Sequence, residues 1–267
     1  MPVAVVTDST AYLPEVPGVT VVPIQVISGD QTWDEPAFTG NFTTATTSRP
    51  APERFATCYA ALAEGGADAV VSIHLSGELS GTADSARAAA RDAPLPVTVV
   101  DSRSIGMGLG FPVLAAARAA ASGADASAVA DAALACTART RTFFYVDTLD
   151  HLRRGGRIGA AASLVGSALM IKPLLHITDG HIALLEKVRT SSRALARLED
   201  LAVQEAGEAS VEIAVQHLAA LERAETLAGN LGKRVPGAVD VRVVEVGAAI
   251  GVHVGPGTLG ITVSRTG

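Results

Sequence analysis

Through the first half of the chain, short apolar runs alternate with alanine-rich stretches, and each run closes on a polar or glycine-rich step. Val3 to Val6 reads as a buried strand ending in Thr7, Asp8, Ser9 and Thr10. Val19 to Ile27 reads as a second strand, followed by a polar loop that carries Trp33. Pro52 to Glu64 places Phe55, Tyr59 and Leu62 on one helical face, and Gly65-Gly66 stops it. Ala69, Val70, Val71 and Ile73 mark another strand, Ala83 to Arg91 a helix, and Val97 to Val100 a strand ending in Asp101-Ser102. Two alanine-rich helices near 104–122 and 126–137 and a strand at Phe143 to Val146 complete this half. Strands alternating with helices predict a mostly parallel, Rossmann-like sheet covered on both faces.

After residue 147 the pattern changes. Leu149 to Arg154 reads as a short helix stopped by Gly155-Gly156, and Ile158 to Met170 is apolar nearly all round. Pro173 to Glu186 reads as a hairpin turning at Asp179-Gly180, since that dipeptide suits the tight turns whose twist matches paired strands. A helix near 190–206, a strand near 211–216, a helix near 219–232 and a strand near 239–246 follow. Gly247 to Gly260 reads as a glycine-rich loop holding His253, with a last strand at Leu259 to Val263. The expected organisation is a parallel-sheet α/β domain over 1–146 and a smaller α+β domain over 147–267, closely packed because no linker composition separates them.

The stretch from Leu75 to Thr82 (LSGELSGT) carries the first candidate chemistry. It joins a strand to a helix start, where free backbone N–H groups and the helix dipole favour an anion. Glycine there lets a ligand approach the backbone. Ser80 or Thr82 capping its own helix is the alternative. A second hydroxyl cluster, Thr46 to Ser48, precedes the helix at Pro52.

Composition narrows the classes. Hydrophobic residues make up 48% of 267, enough for a sizeable core, and a net charge of −6 gives no electrostatic footprint for nucleic acid or an anionic membrane. Cys58 and Cys136 stand far apart and read as buried thiols of a reducing compartment. The N-terminus has no basic start and meets Asp8 early, unlike a signal peptide, and the uncharged run from Ile158 to Ile171 is too short to span a bilayer. A soluble, cytoplasmic protein is expected. No P-loop occurs, and the GMGLG of Gly106 to Gly110 brings its third glycine one position early for a dinucleotide site. No Cys or His spacing suggests a metal, and no nucleophile elbow surrounds Ser76 or Ser80.

Several motifs stand in one order: VVTDST from Val5, TSRP from Thr47, LSGELSGT from Leu75, GMGLG from Gly106, LRRGGRI from Leu152, IKP from Ile171, KVRT from Lys187 and GVHVGPGTLG from Gly251. Together they resemble the DegV family of bacterial fatty-acid-binding proteins, over essentially the whole chain. The resemblance implies two α/β domains with a lipid in the cleft between them. It also implies a role as acyl-carrying subunit of a two-component fatty acid kinase, with a separate ATP-binding subunit phosphorylating the carboxylate. No cofactor is implied besides the bound fatty acid, and no turnover by this chain alone. Carried over motif by motif, Thr47 and Ser80 become carboxylate donors, with Ser48, Gly81 and Thr82 beside them and Arg157 and His253 at the same end of the lipid. Arg157 is open between a phosphoryl-neutralising role and a solvated arginine at a helix end, and His253 between holding its loop and donating to the ligand. Two stretches depart from the family pattern. Trp33, Asp34 and Glu35 stand where Tyr-x-Asp-Gly is usual, and Ala51 stands where a Ser cap is frequent. The competing functions are a lipid chaperone without a kinase partner and a hydrolase or transferase using Ser80 with His253.

Overall fold

The computed structural model describes residues 2–159 and 172–266. Its first unit is a parallel sheet in the order β2-β1-β6-β7, formed by β1 (Val3–Asp8), β2 (Val19–Val22), β6 (Ala69–His74) and β7 (Val97–Asp101). Alternation along the strands sends side chains to both faces. Val6 and Val70 pack on Phe55 and Tyr59 of α1 (Pro52–Glu64) and on Ala86 of α2 (Thr82–Ala90). Val5, Val71 and Ile73 pack on Leu109 and Val113 of α3 (Met107–Ala121) and Val129 of α4 (Ala126–Ala138). Both faces are dry, as a parallel sheet requires.

The second unit is a six-stranded mixed sheet. It contains β8 (Thr140–Tyr145), the hairpin β9 (Lys172–Thr178) and β10 (His181–Val188), β11 (Val211–His217), β12 (Ala238–Glu245) and β13 (Leu259–Arg265). The hairpin turns where expected, with Asp179 and Gly180 both at positive φ. One face carries α6 (Ser191–Ala206) and α7 (Leu221–Arg234), joined to the sheet through Leu198, Ala202, Leu227, Ile213 and Ile261. The opposite face presents Phe144 and Leu175 to a further apolar cluster that includes Leu79 and Leu152.

Four local expectations change. Val19 to Ile27 is not one strand. Pro23 cannot donate to a ladder, and the chain breaks there into β2 and β3 (Gln25–Ser28). β3 joins β4 (Gln31–Asp34) and β5 (Thr46–Ser48) in a separate antiparallel sheet, so Trp33 lies on a strand and not in a loop. Phe143 to Val146 does not extend the parallel sheet: β8 pairs antiparallel with β13 and β9, so sheet membership changes at Thr140, ahead of the expected division near 147. Gly247 to Gly260 is not all loop, because Ala248–Val254 forms a short helix, α8. The apolar stretch from Ile158 to Met170 lies, from residue 160 on, outside the described residues. Among the described residues no helix is long and apolar enough to cross a membrane.

Candidate functional site

A cavity enclosing about 960 Å³, its open mouth included, is lined from both sheets. Ile24, Leu75 and Ile105 come from the parallel unit and its neighbours, Phe144, Ile177 and Val246 from the mixed sheet and its loops. Its polar lining includes Thr47, Ser48, Arg49, Ser80, Arg157 and His253.

These polar residues are linked to one another in a ring of contacts. Thr47 on β5 meets His253 on α8, Oγ1 to Nε2 at 2.8 Å. The His253 ring lies over Gly155, whose missing side chain makes the room: a Cβ there would stand 2.9 Å from Cε1. The Gly155 carbonyl accepts from Arg157 Nη1 at 2.6 Å, and Arg157 Nε donates to the Leu79 carbonyl at 3.1 Å. Ser80 follows Leu79, and its Oγ lies 2.9 Å from Thr82 Oγ1. Gly81 closes the ring, because Arg49 packs directly against it and leaves no space for a side chain.

The alternative for the central loop, Ser80 or Thr82 capping its own helix, does not hold. Gly81 is the N-cap of α2, and it supplies no side-chain bond. Ser80 and Thr82 bond each other instead, and Thr82 is fully buried. The first-turn N–H groups of α2 thus lack a capping side chain, the arrangement that accepts an anion at a helix start. Gly81 and Thr82 do not line the cavity. They stand behind Ser80 and shape its setting.

His253 is neutral at neutral pH. Burial first, then the positive charges of Arg157 and Arg154, lower its pKa to about 4. Its Nδ1 is buried without a partner among the described residues. An orphaned buried N–H is rarer and costlier than an orphaned acceptor, which favours the proton on Nε2. His253 then donates to Thr47 Oγ1, and the Thr47 hydroxyl proton is not used in that bond. Arg157 is no solvated helix-end arginine: two backbone carbonyls hold its guanidinium at the cavity wall. Its anchoring ties the central loop of the parallel unit to the turn after α5 (Asp150–Arg154).

The geometry does not pair Ser80 with His253 as nucleophile and base. His253 Nε2 is engaged by Thr47, and Ser80 Oγ by Thr82. The other histidine with a claim to act as a base, His74, is fully buried between Asp8 Oδ2 at 3.1 Å and Ser72 Oγ at 2.7 Å. Asp8 also accepts the N–H groups of Thr10 and Leu75, so it pins the strand ends below the cavity, and only Thr10 of that polar cluster reaches the lining. Arg49 is a lining residue that sequence reasoning missed, although it sits inside the TSRP motif. The hydroxyls beside it carry the more obvious anion chemistry, and nothing in its spacing shows that it packs on Gly81. Among the described residues no group of His, Cys, Asp and Glu could hold a metal.

The model of the family described as "Uncharacterised protein, DegV family" matches residues 2–266. The chain belongs to the DegV family. A DegV domain-containing protein of Streptomyces coelicolor is 54% identical over 98% of both chains, and Protein DegV of Bacillus subtilis 34% identical over 98% of both. Among solved DegV proteins, one from Thermus thermophilus, described by its fatty acid binding, superposes with a TM-score of 0.92 at 31% identity, covering 100% of each chain. Bacillus subtilis DegV, described as a fatty acid binding protein, gives a TM-score of 0.88 at 32% identity, again over 100% of both. The two-unit α/β architecture is therefore that of solved DegV proteins.

Proposed function

We propose that this DegV protein binds a long-chain fatty acid in the cavity and holds its carboxylate at the polar ring. Thr47 and Ser80 are assigned as donors, His253 as the group that orients Thr47, and Ser48, Gly81 and Thr82 as their immediate setting. The observation that carries this reading is the joining of a large, mainly apolar cavity to a ring of hydroxyls and the anchored guanidinium of Arg157. A carboxylate leaving water must be hydrogen-bonded or lose several kcal/mol, on the order of the cost of any buried polar charge. The solved DegV relatives described as fatty acid binding support the same reading.

The acid is then presented to a separate ATP-binding kinase subunit and phosphorylated to an acyl phosphate. Hydroxyl donors satisfy the carboxylate without adding a full positive charge, which keeps its oxygen nucleophilic. Arg157 stands ready to neutralise charge that develops on the incoming phosphoryl group. This chain alone turns nothing over. The direct test mixes the loaded protein and ATP with a bacterial lysate fraction containing the kinase, and follows acyl hydroxamate after trapping with hydroxylamine. Product that needs both components supports presentation. Tight binding of fatty acid with no product in any fraction supports a lipid chaperone instead.

A further inference from the structure

The segment that departs from the family pattern, Trp33 to Glu35, holds a buried carboxylate with an unusual set of partners. Glu35 is only 4% exposed and opens the short helical turn that follows β4. Its Oε1 accepts from the Tyr12 hydroxyl at 2.6 Å and from the backbone N–H of Ala249 at 2.8 Å, and its Oε2 accepts from the Ser9 hydroxyl. Tyr12 Oη accepts in turn from the N–H of Ile250 at 3.2 Å. Ala249 and Ile250 belong to the first turn of α8, whose own N-cap, Gly247, provides no side-chain bond. The helix is thus capped from outside, by two side chains that come from beyond β1 and from the small antiparallel sheet.

The last turn of α8 carries His253, which bonds Thr47 on β5. β5 pairs with β3, β3 pairs with β4, and β4 leads into Glu35. Both ends of α8 are therefore tied to the same three-stranded sheet, one through Glu35 and one through Thr47. Val26 of β3 and Val252 of α8 fill the space between the ties. Removing the tie at one end lets the helix turn on the other, and a rotation of α8 carries the imidazole off the Thr47 hydroxyl.

We propose that Glu35, with Tyr12, is a positioning residue that sets the His253–Thr47 pair and so the hydrogen-bonding strength of the carboxylate end of the cavity. It touches neither ligand nor cavity. The claim rests on the fatty acid reading for its functional consequence, and on the geometry of α8 alone for its structural one. Every partner of Glu35 donates, so the carboxylate form satisfies all of them, whereas the amide of a glutamine must turn a donor toward one of them.

The test uses the full-length protein, delipidated, as wild type, Glu35→Gln and Tyr12→Phe. Two readouts are taken beside thermal melting: the ratio of stearic acid to stearyl alcohol affinity, and the titration of the His253 imidazole followed by nitrogen NMR without ligand. The expected result is an acid-over-alcohol ratio reduced about tenfold in Glu35→Gln, by the loss of one well-placed bond to a charged group. Tyr12→Phe reduces it to a smaller degree, and in both variants the His253 titration moves up toward that of a free imidazole. A variant that melts earlier but keeps the wild-type ratio and titration overturns the proposal, since that is all a merely structural role would do. If wild-type protein shows no preference for the acid, the fatty acid reading fails, and the imidazole titration still decides the positioning claim. If Glu35→Gln does not fold, Tyr12→Phe is measured in its place, and the same two readouts support or overturn the proposal.

Discussion

Replacing Gly155 by alanine isolates the contact that seats His253. Gly155 has φ −75° and ψ −7°, a conformation any residue adopts, so the backbone resists nothing. The added methyl, however, would lie 2.9 Å from His253 Cε1 and 3.3 Å from Cγ, and closer still to Nδ1. Such approaches are too short for real side chains, so the ring or α8 must move. Overpacking of this kind costs about 1–3 kcal/mol. The displaced ring also gives up its 2.8 Å bond to Thr47, worth about 0.5–1.5 kcal/mol when neutral groups are paired. Urea unfolding of wild type, Gly155→Ala, His253→Ala and the double variant forms a cycle. With the imidazole gone the methyl has space, so Gly155→Ala is expected to cost less than about 0.5 kcal/mol in the His253→Ala background, the usual limit of non-interaction. Fatty acid affinity should follow the same cycle. An equal cost in both backgrounds would refute the idea that Gly155 exists to seat the imidazole.

Further outcomes follow from the same site. Thr47→Ala and Ser80→Ala should each weaken fatty acid binding by about 1.5–3 kcal/mol, roughly ten- to a hundredfold, while leaving fatty alcohol affinity nearly unchanged in calorimetric titration. Arg157→Ala should lower the kinase-coupled rate more than lipid affinity, because charge grows on the phosphoryl group only in the transition state; equal losses in both would count against that role. The pH dependence has a definite sign. His253 titrates near 4 in the fold against its ordinary 6.5, so the unfolded chain binds more protons between those values. Its contribution is fully present above about pH 6.5 and is lost as pH falls toward 4, amounting to about 3 kcal/mol at most. Burial pushes the Glu35 carboxyl up, which acts in the opposite direction, so the comparison is between the pH–stability profiles of wild type and His253→Asn. The variant profile should lack the loss over that window.

Much of the fold was legible because local signals agreed with the tertiary outcome. Pro52 and Gly65 bracket α1, Asp179-Gly180 turns the hairpin, and the apolar run before Ser76 is β6. The misreadings came where distant partners decided the result. Val19 to Ile27 looks continuous, yet Pro23 splits it between two sheets. Phe143 to Val146 carries no mark of which sheet it joins, since a doubly covered parallel strand and a central antiparallel strand are apolar alike. α8 is hidden because its cap comes from Glu35 and Tyr12, far away in sequence, and its own stretch is glycine-rich. At the site, the resemblance named Thr47, Ser80, Arg157 and His253, but only the geometry links Thr47 to His253 and Arg157 to the Leu79 carbonyl. The packing of Arg49 on Gly81 and the bond from Ala249 to Glu35 were invisible for the same reason: each partner is remote in the chain.

Everything proposed for the site depends on a fatty acid occupying the cavity. An acyl chain of common length buries about a dozen methylenes, and at ~0.8 kcal/mol each the tail supplies roughly 10 kcal/mol of transfer energy. Association costs an estimated 4–15 kcal/mol, so the headgroup must be satisfied for binding to survive purification. Protein expressed in bacteria and extracted with organic solvent after thorough washing should release a long-chain fatty acid in roughly one-to-one ratio, read by quantitative mass spectrometry. An extract free of fatty acid, together with no binding of added fatty acid by the delipidated protein at micromolar concentration, would contradict the account.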